Sequence, residues 1–394
     1  MSLYWPDDAA AVSTEPRLHA LVVAVGDYPY LSGPKATPEG KKFGLKPLTT
    51  TIHTGARIAA WLTAGLPGFA RDDLNGYRNT GCPLGSVEVV YSPPDGTSVL
   101  TRPDGTPVAV GPATMADIKA AVTAWFNRCS AHPDNIALFY FAGHGISTTA
   151  QFLLASDFYA PGVLDPWENC IDFTGLRQGM RKCKAKTQLF FVDACRERPF
   201  DATVQVNPKG QSLVGGAVWS DPPPAATGTY YAAAEGLKAY GPADGPTYFA
   251  TAVLDALEGA GAGREKGTRK WLVDTFSLAG ALGPLTEYLK DEHQLSSLTC
   301  SPHPEGNPAP INYPVRGYVR VKVGCKDAAK NSQLALQLTR LPDDFTSAKD
   351  EPRPWRGKLA PGDWRIQMKF DSFDPLDLSE TLIDPVHVVL EDPV

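Results

Sequence analysis

Apolar residues are gathered along this chain in short runs of two kinds. Up to about residue 235 they are mostly continuous: HALVVAVG at 19–26, SVEVVYS at 86–92, NIALFYFAG at 135–143, TQLFFVDA at 187–194 and TYYAAAE at 229–235. A short run without steady polar alternation reads as a strand buried on both faces. Between these runs apolar residues recur at helical spacing. Ile52, Ala56, Ala59 and Ala60 share one face of a helix expected at 51–62, and Ile118, Val122, Trp125 and Phe126 one face of a helix at 114–129. The second opens with Thr114 and, three residues on, Asp117, in the manner of a capping box. Helices are also expected at 173–184 with Thr174 as N-cap, at 247–259 closed by Gly259, and at 276–289. Asp104-Gly105 within 98–110 predicts a hairpin. Strands alternating with helices in this way predict an α/β fold, a mostly parallel sheet with helices on both faces.

Past residue 300 the texture changes. SPHPEGNPAPINYP reads as a Pro-rich linker, and RGYVRVKV, LALQLT, WRIQMKF and VHVVL then alternate polar and apolar residues. Alternation marks antiparallel strands with one wet face, so a small all-β, sandwich-like domain is expected at the C-terminal end. The division predicted is an N-terminal extension at 1–16, an α/β domain at 17–300, a linker at 301–313 and the β domain at 314–394.

Composition narrows the function classes without choosing one. The chain has 394 residues, 43% of them hydrophobic, and a formal net charge of -6. There is no polybasic run, which argues against nucleic acid or an anionic membrane as partner. No apolar stretch approaches the 18 or so residues of a membrane span, and the N-terminus does not read as a signal peptide. The seven cysteines, at 82, 129, 170, 183, 195, 300 and 325, are scattered and form no C-x-x-C pair. That pattern favours reduced thiols in a cytoplasmic setting over zinc ligation or a disulfide framework, and no metal or cofactor is expected.

In a parallel sheet chemistry gathers at the carboxyl ends of the strands. Asp27 and Tyr28 follow the first run, His144 sits between Gly143 and Gly145 after the third, and Asp193, Cys195 and Arg196 follow the fourth. A histidine at a strand end is ordinarily a polar surface residue, and a cysteine ordinarily packs in a core. Here two strands deliver one of each to the same edge, 51 residues apart (195 − 144), room for one helical crossover. A thiol nucleophile needs a partner that takes its proton and later hands one to the leaving amine, and histidine can do both. Flanking glycines would let a substrate backbone approach and leave amides for an oxyanion. Asp193 lies two residues before Cys195, so its carboxylate should point the same way and select a cationic side chain, Arg in preference to Lys.

The blocks LHALVVAVGDY, IALFYFAGHG, FLLASDF, TQLFFVDACR, YYAAAEG and GPTYFATAVLDAL resemble, in this order, those of the caspase and metacaspase cysteine peptidases, of bacterial type, over roughly residues 17 to 300. The resemblance implies His144 and Cys195 as catalytic dyad, the amides of Gly145 and Cys195 as oxyanion hole, and Asp193 as the residue selecting Arg or Lys before the scissile bond, with Asp27 as a possible second carboxylate. It implies an endopeptidase acting on protein substrates, a regulated effector under some upstream activator, and by analogy a part in antiviral defence. The sequence departs from the metacaspase pattern in three places: Arg-Glu-Arg follows Cys195, Ala142 precedes the Gly-His-Gly block, and after LLASDF there is Asp165 but no acidic pair, so calcium dependence is not expected. The long 197–228 segment falls where relatives join their large and small subunits. It holds Arg198 and Lys209 as self-cleavage candidates. The readings that compete are another thiol hydrolase or transferase on the same dyad, and an inactive scaffold working through the C-terminal domain as a binding module.

Overall fold

The structure is a computed structural model. It describes residues 3–5, 14–66, 76–148, 150–196, 209–216, 223–234, 241–242, 244–341, 344–347, 354–370 and 374–392. In chain order its first elements are β1 (Leu3–Trp5), β2 (Leu18–Val25), α1 (Pro38–Lys41), α2 (Thr49–Ala64), β3 (Leu84–Ser92), the β4–β5 hairpin (Val99–Thr101 and Pro107–Ala109) and α3 (Met115–Cys129). There follow β6 (Ile136–Ala142), β7 (Gly145–Ser147), β8 (Gln151–Leu154), β9 (Cys170–Asp172), α4 (Phe173–Gly179), β10 (Thr187–Asp193) and β11 (Ala226–Tyr231). Then come α5 (Tyr248–Asp255), β12 (Gly263–Arg264), β13 (Trp271–Asp274), α6 (Thr275–Glu292), β14 (Ser301–Gly306) and β15 (Pro310–Asn312).

The main sheet has seven strands in the order β1-β3-β2-β6-β10-β11-β14. The five inner strands run parallel, and β2, β3 and β6 are buried along their whole length, the physical counterpart of their unbroken apolar runs. One face, with Val22, Leu138, Tyr140 and Phe191, packs under α2, α5 and α6. The other, with Val23, Phe139, Phe190 and Val192, packs under α3 and α4.

Three boundaries differ from the sequence expectation. The Pro-rich segment expected as a linker begins as β14, an outer strand antiparallel to β11. Proline lacks the N–H a central strand must donate, so Pro302 and Pro304 fit a sheet edge and little else in regular structure. The expected N-terminal extension contributes β1 to the opposite edge. The helix after Phe173 is capped by Asp172, whose carboxylate accepts from the Gly175 amide, where Thr174 was expected. It also stops as α-helix at Gly179, a 3-10 turn covering Met180–Lys182.

Beyond β15 the chain forms β16 (Val319–Gly324), β17 (Leu334–Arg340), β18 (Asp344–Ser347), β19 (Trp355–Leu359), β20 (Gly362–Phe370), β21 (Leu376–Leu382) and β22 (Val386–Leu390). They make two sheets, β19-β16-β22 and β18-β17-β20-β21, which share a core of their own around Val321, Val323, Leu336, Ile366 and Met368. This is the small β-sandwich that the alternating pattern predicts, except that β22 runs parallel to β16 where only antiparallel strands were expected.

Candidate active site

Ala24, Ala142 and Asp193 form the last paired row across β2, β6 and β10. His144 and Cys195 each lie two residues past that row, just beyond the ends of the neighbouring strands β6 and β10. Strand register, a consequence of the buried apolar runs, thus delivers the two sequence-predicted residues to the ends of neighbouring strands.

Each atom of His144 that the chain holds has an identifiable partner. Its amide donates to the Tyr28 hydroxyl at 2.7 Å. Its Nε2 lies 2.7 Å from the Lys46 carbonyl oxygen. A carbonyl can only accept, so Nε2 carries the hydrogen and Nδ1 keeps its lone pair. The Tyr28 ring packs on the imidazole with centroids 4.7 Å apart. Burial pushes the His144 pKa down to about 4, with the Lys46 carbonyl opposing. At neutral pH the imidazole is an uncharged base. Tyr28 is wholly buried, and burial holds its hydroxyl far from ionisation, with the hydrogen bond from the His144 amide opposing and the nearby Cys195 adding to the push. Cys195 itself is half-buried.

The two glycines around His144 have a different reason from the one the sequence suggested. A Cβ on Gly143 would fall 2.7 Å from the Tyr28 hydroxyl and 2.9 Å from the Phe141 ring. On Gly145 it would fall 2.6 Å from the Cys195 carbonyl oxygen and 2.9 Å from the Ala194 Cβ. The space the sequence reading gave to substrate is filled by the protein's own chain. Gln151 on β8 closes this contact, its Nε2 donating to the Cys195 carbonyl at 3.2 Å.

Asp193 is fully buried on the α2–α5 side of the sheet. One carboxylate oxygen, Oδ2, accepts from the Tyr140 hydroxyl at 2.9 Å and from the Thr247 hydroxyl. The other, Oδ1, is buried with no hydrogen-bond donor among the described residues. Burial raises the carboxyl pKa to about 6, against the pull of Thr247 and Tyr140. Asp27 is half-buried with its pKa also raised by burial, and the Tyr28 backbone and Lys35 oppose that shift.

The remaining sequence candidates separate. Arg198 lies outside the described residues. Lys209 is exposed, and the chain just after it is pinned, Gln211 exchanging backbone hydrogen bonds of 2.9 Å with Cys170 and Asp172. Arg196, one of the departures, lays its guanidinium over the Tyr231 ring at 4.3 Å. Asp165 caps a 3-10 turn by accepting from the Trp167 amide. Among the described residues no group of three or more His, Cys, Asp or Glu is gathered as for a metal ion. A cavity of about 440 Å³ opens at the far end of the strands, by Gln188 and Thr227, away from His144 and Cys195. Sequence reasoning missed the Lys46 carbonyl, which leaves no mark in a sequence. It placed Tyr28 at this edge without its contacts to His144, and it missed Gln151, Tyr140 and Thr247. The last could have been found, since a Thr before the helical run YFATAVLDAL is an N-cap signal.

Comparison with known proteins bears on the family of the chain. The chain is 32% identical over 246 residues to the uncharacterized protein y4kE of Sinorhizobium fredii (strain NBRC 101917 / NGR234), an overlap of 60% of this chain and 68% of that one. The crystal structure of Caspase-1 from Spodoptera frugiperda superposes with a TM-score of 0.37 at 11% identity, over 77% of this chain and 92% of that one. The family model of the caspase domain matches residues 18–274, from the first residue of β2 to the last of β13. With well over half its length matched by that model, on a mostly parallel sheet flanked by helices, the chain belongs to the caspase-domain family of peptidases.

Proposed function

We propose that this protein is a cysteine endopeptidase that cuts protein substrates after Arg or Lys, with Cys195 and His144 as its dyad. The observation that carries the reading is the fixed imidazole. Lys46 holds Nε2–H, so the lone pair is on Nδ1, and the strands that lead into His144 and Cys195 are neighbours in register, which supports the ring meeting the thiol. In the first step the Cys195 thiol proton passes to Nδ1 and the sulfur attacks the scissile carbonyl carbon. The carbonyl π electrons move to oxygen, and the amides of Gly145 and Cys195 receive that oxyanion. Its collapse breaks the C–N bond, the leaving amine takes the proton from Nδ1, and an acyl-enzyme remains. Water then gives its proton to Nδ1 and attacks the thioester, and the carboxylic acid and the thiol are regenerated.

The buried Asp193 carboxylate supports specificity. A guanidinium reaching Oδ1 would supply the donors that oxygen lacks and would relieve the cost of a buried charge. The scattered thiols favour action in a reducing compartment such as the cytoplasm, and the exposed Lys209 together with Arg198 are the sites at which processing would mark a regulated effector. An upstream activator and a defence role rest on resemblance alone.

The deciding experiment offers fluorogenic peptides ending in Arg, Lys or Asp to wild type, Cys195→Ala and Asp193→Ala. The expectation is turnover of Arg and Lys peptides by wild type, none by Cys195→Ala, and a lost preference in Asp193→Ala. Absence of turnover of every peptide, with Cys195 still alkylated by iodoacetamide, would sink the peptidase reading in favour of another thiol chemistry.

A further inference from the structure

We infer that the C-terminal β-sandwich is part of the specificity apparatus: docked on Asp255, it fixes the helix α5 whose N-cap, Thr247, aims the Asp193 carboxylate. The inference rests on the proposed role of Asp193 in receiving the cationic side chain.

The two ends of one short helix carry the argument. At its N-terminus the Thr247 hydroxyl donates to Asp193 Oδ2 while accepting from the Ala250 amide at 3.1 Å. Thr54 of α2 braces the same residue, its hydroxyl accepting from the Thr247 amide at 2.9 Å. With Oδ2 committed to Thr247 and Tyr140, Oδ1 is the oxygen left for a ligand. At the C-terminal end, eight residues from Thr247, stands Asp255. Its carboxylate accepts from Arg320 of β16, from Lys358 of β19 at 2.9 Å and from the Tyr318 hydroxyl at 2.6 Å. All three partners belong to the sandwich or to the residue leading into it. Burial pushes the Asp255 carboxyl up, and Arg320, Lys358 and Tyr318 more than reverse that.

Between its two ends α5 is buried almost all round: Phe249, Ala250, Ala252, Val253 and Leu254 are in the core. A close-packed helix about 12 Å long moves as a unit, so a displacement at Asp255 is felt at Thr247. The junction also leaves no room to slip. Gly259, at φ 147°, lies against the Arg316 carbonyl, where a Cβ would come within 2.5 Å of the oxygen. A second tie is independent of Asp255. Asp291 of α6 holds Lys322 at 2.7 Å and Arg356, while the Tyr288 ring lies under Arg320 and Arg356. The isosteric variant Asp255→Asn can therefore keep the sandwich seated while weakening the clamp on α5.

The test uses the full chain, with Thr247→Val, Thr247→Ser, Asp255→Asn and Asp193→Asn. The groups that face Asp193 are Tyr140 from β6 and Thr247 from α5. Tyr140 stays neutral throughout because burial, and then Asp193 itself, push its pKa far up. Thr247→Val removes a donor that favours the carboxylate, so the pH midpoint at which kcat/KM for an Arg peptide rises should move up by about one unit. KM should rise about 10-fold, the size of one hydrogen bond to a charge, with kcat little changed. Thr247→Ser should restore both values. Asp255→Asn should move KM and midpoint in the same direction, by about 3-fold or more in KM. The Asp193 carboxyl 13C signal, titrated in a Cys195→Ala background, should show the same ordering without reference to turnover. If Asp255→Asn leaves KM, midpoint and carboxyl titration at wild-type values, even with a lowered Tm, the link through α5 is wrong. If Asp193→Asn keeps the Arg preference, the role given to Asp193 fails first and takes the link with it.

Discussion

At Asp193 a carboxylate is buried with one oxygen hydrogen-bonded twice and the other left unanswered. Its folded pKa, about 6, lies above the ordinary 3.8, so the native state binds the proton more tightly than the unfolded chain between those values. Stability from this group is therefore lost as pH rises from about 4 to 6, by something on the order of 3 kcal/mol at most. Asp193→Asn should raise Tm at pH 7.5, with the gain shrinking to nothing near pH 4 in thermal melts. The same substitution should cost at least about 30-fold in kcat/KM for Arg peptides, the lower end for an unpaired buried charge contact. Because His144 is already neutral above about pH 4, the acid limb for an Arg substrate should sit near pH 6 and vanish in that variant. Tyr28→Phe removes the acceptor of the His144 amide and orphans a buried N–H. We expect a loss of roughly 1–3 kcal/mol in urea denaturation together with a lower kcat.

Among the elements, the turns after β6 and β10 carry the proposed chemistry. The Gly-His-Gly block is legible as a special backbone because two glycines flank one functional residue. What crowds those glycines is not legible. Tyr28 arrives from the end of β2 and the Cys195 carbonyl from the end of β10, segments far apart in sequence. Gly145→Ala should push the Cys195 backbone away from β7, and a displacement of about 1 Å costs on the order of 100-fold in kcat. Circular dichroism of that variant should remain native, which separates misplacement from unfolding. The elements themselves were easy to read where burial is complete, as in β2, β6 and β10. The Pro-rich start of the expected linker misled because proline excludes a central strand and leaves an edge strand open.

For the whole molecule, acid behaviour sums several groups. His144 and His19 are both buried with pKa values near 4, His19 by burial and then by Arg128 and Arg17. A buried neutral histidine binds its proton less tightly than the unfolded chain does. Its contribution to stability is thus complete above about pH 6.5 and is lost as pH falls toward 4. Asp193, and with it Asp27, Asp157 and Glu258, whose carboxyls burial also raises, act in the opposite sense over part of that window, while Asp255 and Asp291, held low by their basic partners, act with the histidines. The urea midpoint should therefore fall between pH 7 and pH 4.5. His19→Asn should remove part of that slope. A midpoint that rises over this interval would contradict the assignment. Self-processing also belongs to this scale. Wild type incubated alone should be cut after Arg198 or Lys209, read by mass spectrometry, and Cys195→Ala should stay whole.

The sequence by itself determined the α/β class, the separate β-sandwich, and the delivery of a histidine and a cysteine to the ends of neighbouring strands. These follow from hydrophobic periodicity and strand register, which are local properties repeated along the chain. Only the tertiary structure decided which nitrogen of His144 is free, what fills the space at its two glycines, and which oxygen of Asp193 is unanswered. It alone showed that the sandwich reaches the buried helix above that carboxylate. Those facts depend on carbonyls, hydroxyls and charges brought together from distant parts of the chain, and a one-dimensional pattern carries no record of such meetings.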